Sequence, residues 1–407
     1  MALTKLTTDL IDGSLGTDWQ ATPKTANFTA VAGEGYFVDT TSSAITVTLP
    51  SSPNAGDEVS IVDYAGTANT NNITVTSSDN INGAADDLAI NYNRGGVSMV
   101  YVDATQGWIA YNAANETASA LGELVYNIDY LLVAGGGGGG NNDGGGGGAG
   151  GLLQSTISSL TTGATLSISI GAGGGGGIVG TYLSSDGTDS TITSSAITTI
   201  TAYGGGRGQT HISNISNSAG GSGGGANQGS SPGGSGVAGQ GNDGGIGSGS
   251  PNYAGGGGGG AGADGSDGGS SGGGAGGVGA TTTIISGSNA TTSSVGEIVS
   301  SSLYFAGGGG AGEEGVSGNA FGAGGYGGGG DGNSEGNAEN GTPNTGGGGG
   351  GAGYTSAHYN GGNGGSGVCI LRMPTASYSG TTTGSPDVYT EGSDTVLVFK
   401  TNGTYTT

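Results

Sequence analysis

The stretch DYLLVAGGGGGGNNDGGGGGAGG, residues 129–151, decides how the second half of this chain is built. An apolar run of strand character, Tyr130 to Val133, passes straight into two glycine tracts that have no side chains to pack. Either the chain becomes a spacer here or its backbone orders itself by other means. Of 407 residues 103 are glycine, and further tracts fill 171–177, 204–279 and 307–367, so the answer covers about two fifths of the molecule.

Three readings compete. Collagen needs glycine at every third position with abundant proline, and eight prolines with no sustained three-residue period exclude it. A flexible Gly/Ser linker is the ordinary expectation for such composition. Each tract, however, is bracketed by apolar strands: LVYNIDYLLVA, GATLSISIGAG, DSTITSSAITTITAYG, SSLYFAG, SGVCILRMP and DTVLVFKTNGTYTT. The third reading sets extended polyproline-II-like glycine helices side by side. Without Cβ atoms, such backbones approach closely enough for each N–H to reach a neighbour's carbonyl.

Fixing a residue's backbone costs roughly 1–2 kcal/mol, and glycine loses the most freedom. A net hydrogen bond returns only about 0.5–1.5 kcal/mol. A lone glycine helix therefore melts, whereas a layered array with nearly every amide paired holds. In this reading residues 135–140 and 144–148 are neighbouring helices and NND at 141–143 is their turn. Bulkier interruptions, SPNY at 250–253, NSEGNAENGTPN at 333–344 and YTSAHYN at 354–360, fall at helix ends and on the outer face.

The first third reads differently. From 27 to 112, NFTAV, GYFVDT, AITVTLP, DEVSIVDY, NITVTSS, DLAINYN, VSMVYVD and GWIAYN alternate apolar and polar residues between turn signals. This is the pattern of half-buried antiparallel strands. The expected fold class is mainly β: a small jelly-roll-like β-sandwich, then a β framework carrying a polyglycine-II array. The expected divisions are an attachment segment at 1–26, the sandwich at 27–112, a short connector of helical composition at 113–124, the glycine-rich domain at 125–375 and closing strands at 376–407.

Net charge is −24, with only Lys5, Lys24, Arg94, Arg207, Arg372 and Lys400 positive. Nucleic-acid binding draws on basic side chains that are scarce here. Cys369 is the sole cysteine, so no intrachain disulfide staples the glycine-rich half. The N-terminus lacks the apolar core of a signal peptide, and no apolar run of about 18 residues occurs, so the expectation is a protein neither Sec-exported nor membrane-embedded.

Catalytic and cofactor signatures are weak. A phosphate loop needs a lysine followed by Ser or Thr after its glycines, and GGGRGQT at 204–210 has Arg207 in the wrong place. GGAGAD at 259–264 begins a calcium-binding nonapeptide, but Ser266 stands where a large apolar residue belongs. Asp143, Asp243, Asp264, Asp267 and Asp331 remain candidate calcium oxygens. No nucleophile stands beside a base, and neither catalytic, cofactor nor metal residues are assigned. A depolymerase would need paired carboxylates in a groove.

Aromatics stranded in glycine are the more informative residues. Tyr253, Phe321, Tyr326, Tyr354 and Tyr359 either pack at helix ends or between subunits, or stand on exposed tips as contact residues. His211 and His358, in polar surroundings, join them as contact candidates. Trp108 reads as core, and Trp19 as a candidate anchor to a neighbouring protein.

IDYLLVAGGGGGG, GGNGGSGVCILRMP and GSDTVLVFKTNGTYT resemble the glycine-rich domain of bacteriophage tail-fibre and receptor-binding proteins, especially those of marine phages. GYFVDTTSSAITVTLPSSPNAGDEVSIVDYAG and INGAADDLAINYNRGGVSMVYVDATQGWIAYN resemble a small β domain of trimeric phage fibres. The resemblance implies a virion component, a homotrimer joined to other tail or fibre proteins through its N-terminus, that binds a host glycan or outer-membrane protein and is extracellular after release. In the distal adhesins of T-even-type phages, which it resembles in architecture only, turn loops of stacked polyglycine helices bind receptors. A capsid or tail decoration protein and a depolymerase spike are the alternative expectations.

Overall fold

Alternating Val, Ile and Tyr put one face of each N-terminal strand into a shared core. A computed structural model describes residues 17–114, 125–210, 218–229, 231–250, 253–270, 272–314 and 321–407, in two units, Met1–Leu124 and Val125–Thr407. The first unit contains β1 (Asp18–Lys24), β2 (Phe28–Thr29), β3 (Glu34–Val38), β4 (Ile45–Thr48), β5 (Glu58–Asp63), β6 (Ile73–Thr76), β7 (Leu88–Ile90), β8 (Gly96–Asp103) and β9 (Gly107–Ala114). They form two sheets, β1-β3-β5-β8-β9 and β2-β4-β6-β7. Tyr36, Val38, Val59, Ile61 and Met99 from one pack against Ile45, Val47, Ile73 and Val75 from the other, with Trp108 fully buried among them.

The sandwich is present, but its strands are not the antiparallel set expected. β1, β3 and β5 run parallel, as do β2, β4 and β6, because the chain alternates between sheets at every strand. Only β7, β8 and β9 bring antiparallel pairing. Alternation specifies which face a residue occupies and carries no information on strand direction. The unit is therefore wound as a coil between two sheets, not as a jelly roll. It also begins before residue 27: β1 holds Trp19 and Pro23 at the sheet's edge, where a proline disturbs no ladder. Of the expected connector, 113 and 114 end β9, and 115–124 lie outside the described residues.

The second unit contains β10 (Val125–Val133), β11 (Leu152–Thr161), β12 (Thr165–Ser169), β13 (Ser190–Ser194), β14 (Ile197–Ala202), β15 (Ala280–Thr282), α1 (Gly287–Ser293), β16 (Glu297–Val299), β17 (Ser302–Phe305), β18 (Val368–Pro374), β19 (Thr381–Thr383), β20 (Asp387–Glu391), β21 (Asp394–Phe399) and β22 (Gly403–Thr406). Its central sheet is β11-β10-β18-β21-β20. Leu132, Cys369, Leu371, Leu397 and Phe399 on one face pack on Leu166, Ile168, Ile192 and Tyr405 of the sheet β14-β13-β12-β22-β19. Leu131, Val133, Ile370, Val396 and Val398 on the other face pack on Leu303 and Phe305 of β15-β17-β16 and on Ala290 of α1. Burial on both faces is why the YLLV stretch of β10 is apolar without alternation.

Glycine segments continue the strands from one end of these layers. Residues 134–140 leave β10 and 144–151 return into β11; 171–177 leave β12 and 184–189 return into β13. The backbone bonding has a period of three. Ala134, Gly137 and Gly140 donate to Gly151, Gly148 and Gly145; Gly135 and Gly138 donate to Thr188 and Ser185; Gly136 and Gly139 donate to Gly365 and Gly362, all at 2.8–3.1 Å. In return, Gly205 and Gly208, Gly174 and Gly177, and Gly349 and Ala352 donate to the carbonyls of 135–140 at 2.8–2.9 Å. One segment thus has six neighbours, antiparallel where it donates and parallel where it accepts. This is a hexagonal array of threefold, polyglycine-II helices.

Glycine is required here by closeness, since none of 135–140 or 144–151 has positive φ. A Cβ on Gly138 would lie 2.0 Å from Gly175 O, and one on Gly146 1.9 Å from Gly309 O. The turn follows the opposite rule: Asn142 and Asp143 take φ of 51° and 54°, left-handed backbone that Asn and Asp tolerate best among residues with side chains. On outer helices, side chains replace missing neighbours. Asn363 Oδ1 accepts from Gly176 N at 2.9 Å, and Asn340 Oδ1 from Asn363 N at 2.7 Å. Three residues earlier in each helix, Asn360 and Asn337 repeat the contact.

Candidate functional site

The end of the array remote from the sheets is where its turns gather. Gly312 N donates to Gly144 O, Gly255 N to Gly312 O, and Gly144 N to Ala352 O, so the loops after 140, 177, 312 and 352 share that end. The turn NND is sunk within it: Asn141, Asn142 and Asp143 are buried, as is Glu313. Asp143 Oδ1 accepts from Tyr354 N at 2.9 Å, and Gln228 N donates to Asp143 O. Burial pushes the Asp143 carboxyl up to about 7; the Tyr354 N–H opposes the rise, and Glu314 and Glu313 add to it. Burial also pushes Glu313 up to about 7. Neither Glu313 carboxyl oxygen has a hydrogen-bond partner among the described residues.

Over this plug lies an aromatic chain. His358 Nδ1 donates to Asn142 Oδ1 at 2.6 Å, a carbonyl oxygen that can only accept. The imidazole sits 5.0 Å from the Tyr354 ring and 5.9 Å, edge on, from Tyr182. Tyr182 belongs to the loop 178–183, IVGTYL. Its Ile178, Val179 and Leu183 are 57%, 42% and 53% exposed, although no water-facing role calls for aliphatic side chains. Gly180 and Tyr182 turn the loop with φ of 99° and 56°. Val179 N is held by Asn360 Oδ1 at 2.8 Å and Tyr182 O by Thr210 Oγ1 at 3.1 Å, so the apolar loop stands on a fixed base.

The sequence candidates separate accordingly. Tyr354 and His358 lie in this cluster; Tyr253, exposed, and the exposed Phe321 lie at the same end of the array. Tyr359 is half-buried beside them. Tyr326 is elsewhere: its ring meets Tyr304 of β17 at 5.8 Å, at the base of the array. His211 lies outside the described residues. Trp19 packs against Phe37, ring centroids 5.0 Å apart and tilted by 31°, on the outer face of the first unit's sheet. Ile178, Val179 and Leu183 escaped notice in the sequence; the signal was an aliphatic cluster, IVGTYL, where the other interruptions are polar.

The candidate calcium oxygens have other occupations. Asp243 Oδ1 accepts from Gly236 N, Asp264 Oδ1 from Asp243 N, Asp267 Oδ1 from Ile246 N and Asp331 Oδ1 from Gly324 N, each capping an outer glycine helix. Among the described residues no three His, Cys, Asp or Glu side chains form a metal-holding group. The cations of this unit are also engaged: Arg207 with Asp186, Arg372 with Glu391 and Asp394, and Lys400 with Asp387.

No curated protein matches the chain. A family model described as a glycine-rich domain matches residues 112–374, which take in the whole array and the strands β10 to β18, and the chain belongs to that glycine-rich domain family.

Proposed function

We propose that this protein is an adhesin of a phage virion, a tail fibre or appendage component that binds the host surface through the loops at the free end of its glycine array. The observation that carries the reading is the exposed aliphatic loop 178–183 beside Tyr182, His358 and Tyr354, fixed to a block whose backbone is bonded in six directions. Contact groups held rigidly lose little freedom on binding. The engaged cations favour an apolar protein surface or neutral glycan over an anionic polymer as receptor. Trimer assembly, and attachment through the N-terminal region with Trp19, belong to the same proposal. A decoration role is the second reading, since the same block makes a stiff spacer.

The double variant Ile178→Asp, Leu183→Asp tests it. Both residues are exposed, so unfolding should shift by no more than about 0.5 kcal/mol. Adsorption of particles carrying the variant to host cells is expected to fall at least tenfold. Unchanged adsorption with the variant incorporated overturns the tip-binding reading and favours decoration.

A further inference from the structure

β11 is an edge strand of the central sheet and runs for ten residues as LLQSTISSLT, without a charge or a proline. Natural sheet edges are normally blunted by such residues, and β20, the opposite edge of this sheet, carries Asp387 and Glu391. The direction of the β11 backbone follows from its first residue. Leu152 N donates away from β10, to Gln240 O at 3.0 Å. By the period of two, the N–H groups of Gln154 and Thr156 point the same way, and neither has a backbone partner there among the described residues.

This open edge lines a groove. Gln154 faces Thr281, Thr282, Thr283 and Ser302 across a space of about 550 Å³. Gln154, Ser155 and Thr156 continue along an adjoining space of about 460 Å³ with Asp129, Thr283 and Arg372. Arg372 is already satisfied by Glu391 at 3.1 Å and Asp394 at 2.8 Å. Asp129 has no ion pair among the described residues, where the Thr156 hydroxyl donates to it at 2.6 Å.

We infer that this groove is a strand-addition site for an extended, lysine- or arginine-bearing polypeptide segment of a partner protein. The segment pairs with the outward N–H and C=O groups of Gln154 and Thr156, and a basic side chain meets Asp129. Main-chain pairing supplies the affinity of such sites, and the alternate side chains supply the selection. The site is on the flank of the sheets and is separate from the loops at the end of the array.

The test uses the full chain with the peptide acetyl-TVKVTKTV-amide, its counterpart with Glu for both Lys, and maltohexaose. The Lys peptide is expected to slow hydrogen exchange at the Gln154 and Thr156 amides at least tenfold, and the Glu peptide to bind at least fivefold more weakly. Thr156→Pro, which removes an outward N–H but no ladder bond, is expected to abolish protection of Gln154. Asp129→Asn is expected to weaken the Lys peptide threefold or more, and guards against a misfolded proline variant. Unchanged exchange at millimolar peptide, protection by maltohexaose instead, or concentration-dependent protection by the chain alone would each overturn the assignment.

Discussion

The first unit and the glycine array of the second bury their interiors by opposite means. In the first, Ile45, Val47, Ile61 and Val75 remove apolar side chains from water, and the backbone merely positions them. In the glycine array the backbone is the interior: 135–140 are buried with nothing to bury except peptide groups, whose bonds run to six surrounding segments. The first kind of core tolerates some change of shape, because side chains repack. The second fixes helix spacing by the hydrogen bond itself and has no room to adjust.

The largest expected effect breaks this contrast if it fails. Gly146→Ala puts a methyl group 1.9 Å from Gly309 O, which is itself bonded to Gly258 N. Its expected cost exceeds about 4 kcal/mol, beyond the usual range of single substitutions, and amide protection across 134–151 should vanish. Ile45→Ala, a far larger change of volume, is expected to cost about 2–5 kcal/mol as an ordinary cavity. Both tryptophans, Trp19 and Trp108, belong to the first unit. Tryptophan fluorescence should therefore register Ile45→Ala and leave the Gly146→Ala transition nearly unmoved. A cost for Gly146→Ala below that of Ile45→Ala, with amide protection across 134–151 retained, would mean that the array repacks as a side-chain core does.

Much of this was legible in residues 129–151, because glycines bracketed by apolar strands leave few ways to satisfy the backbone, and NND is a turn on its own chemistry. The strands of the first unit were legible for a similar reason, but their parallel direction was not, since it depends on how the chain passes between sheets. β11 escaped because Leu152, Leu153, Ile157 and Leu160 follow no simple alternation, and the left-handed Ser159, at φ 58°, interrupts it. Of the candidate site, the aromatics were visible as bulky residues amid glycine. What placed Tyr326 at the base and Tyr354 at the far end was the path of the helices between them, which composition does not record.

A smaller effect concerns polar groups trapped in the backbone core. Asp143 and Glu313 bind a proton more tightly when folded, up to about 7 against the ordinary carboxylate range near 4. Between those values the folded state holds more protons than the unfolded, so stability is full below about pH 4, falls as pH rises toward 7, and levels off above it. Glu391 has the opposite sense: burial alone would raise it, but bonds from Ser286 and Asn289 and the Arg372 charge hold it below its usual range, so its contribution is lost in acid. Glu313→Gln should raise the stability of the array at pH 8 by on the order of 2 kcal/mol and flatten its loss between pH 5 and 7. An unaltered pH profile by hydrogen exchange would show Glu313 to be hydrated in solution.

The smallest effect sharpens the contrast at its boundary, where a side chain does the work of a missing backbone. Asn363 is exposed, and replacing an exposed Asn by Ala on an ordinary surface is nearly neutral. Here its Oδ1 is the acceptor for Gly176 N, standing where a further helix would place a carbonyl, while its own N–H is capped by Asn340 Oδ1. Losing one such bond costs about 1 kcal/mol, which corresponds to roughly fivefold faster exchange at Gly176. The neighbouring amide of Gly177 donates to Gly139 O inside the array and should be unchanged. If Asn363→Ala accelerates both amides alike, the outer helix frays as a unit and its side chains only hold it down. If Gly176 responds alone, the asparagine is a substitute carbonyl, and the array ends wherever the sequence supplies Asn or Asp at three-residue spacing instead of another glycine helix.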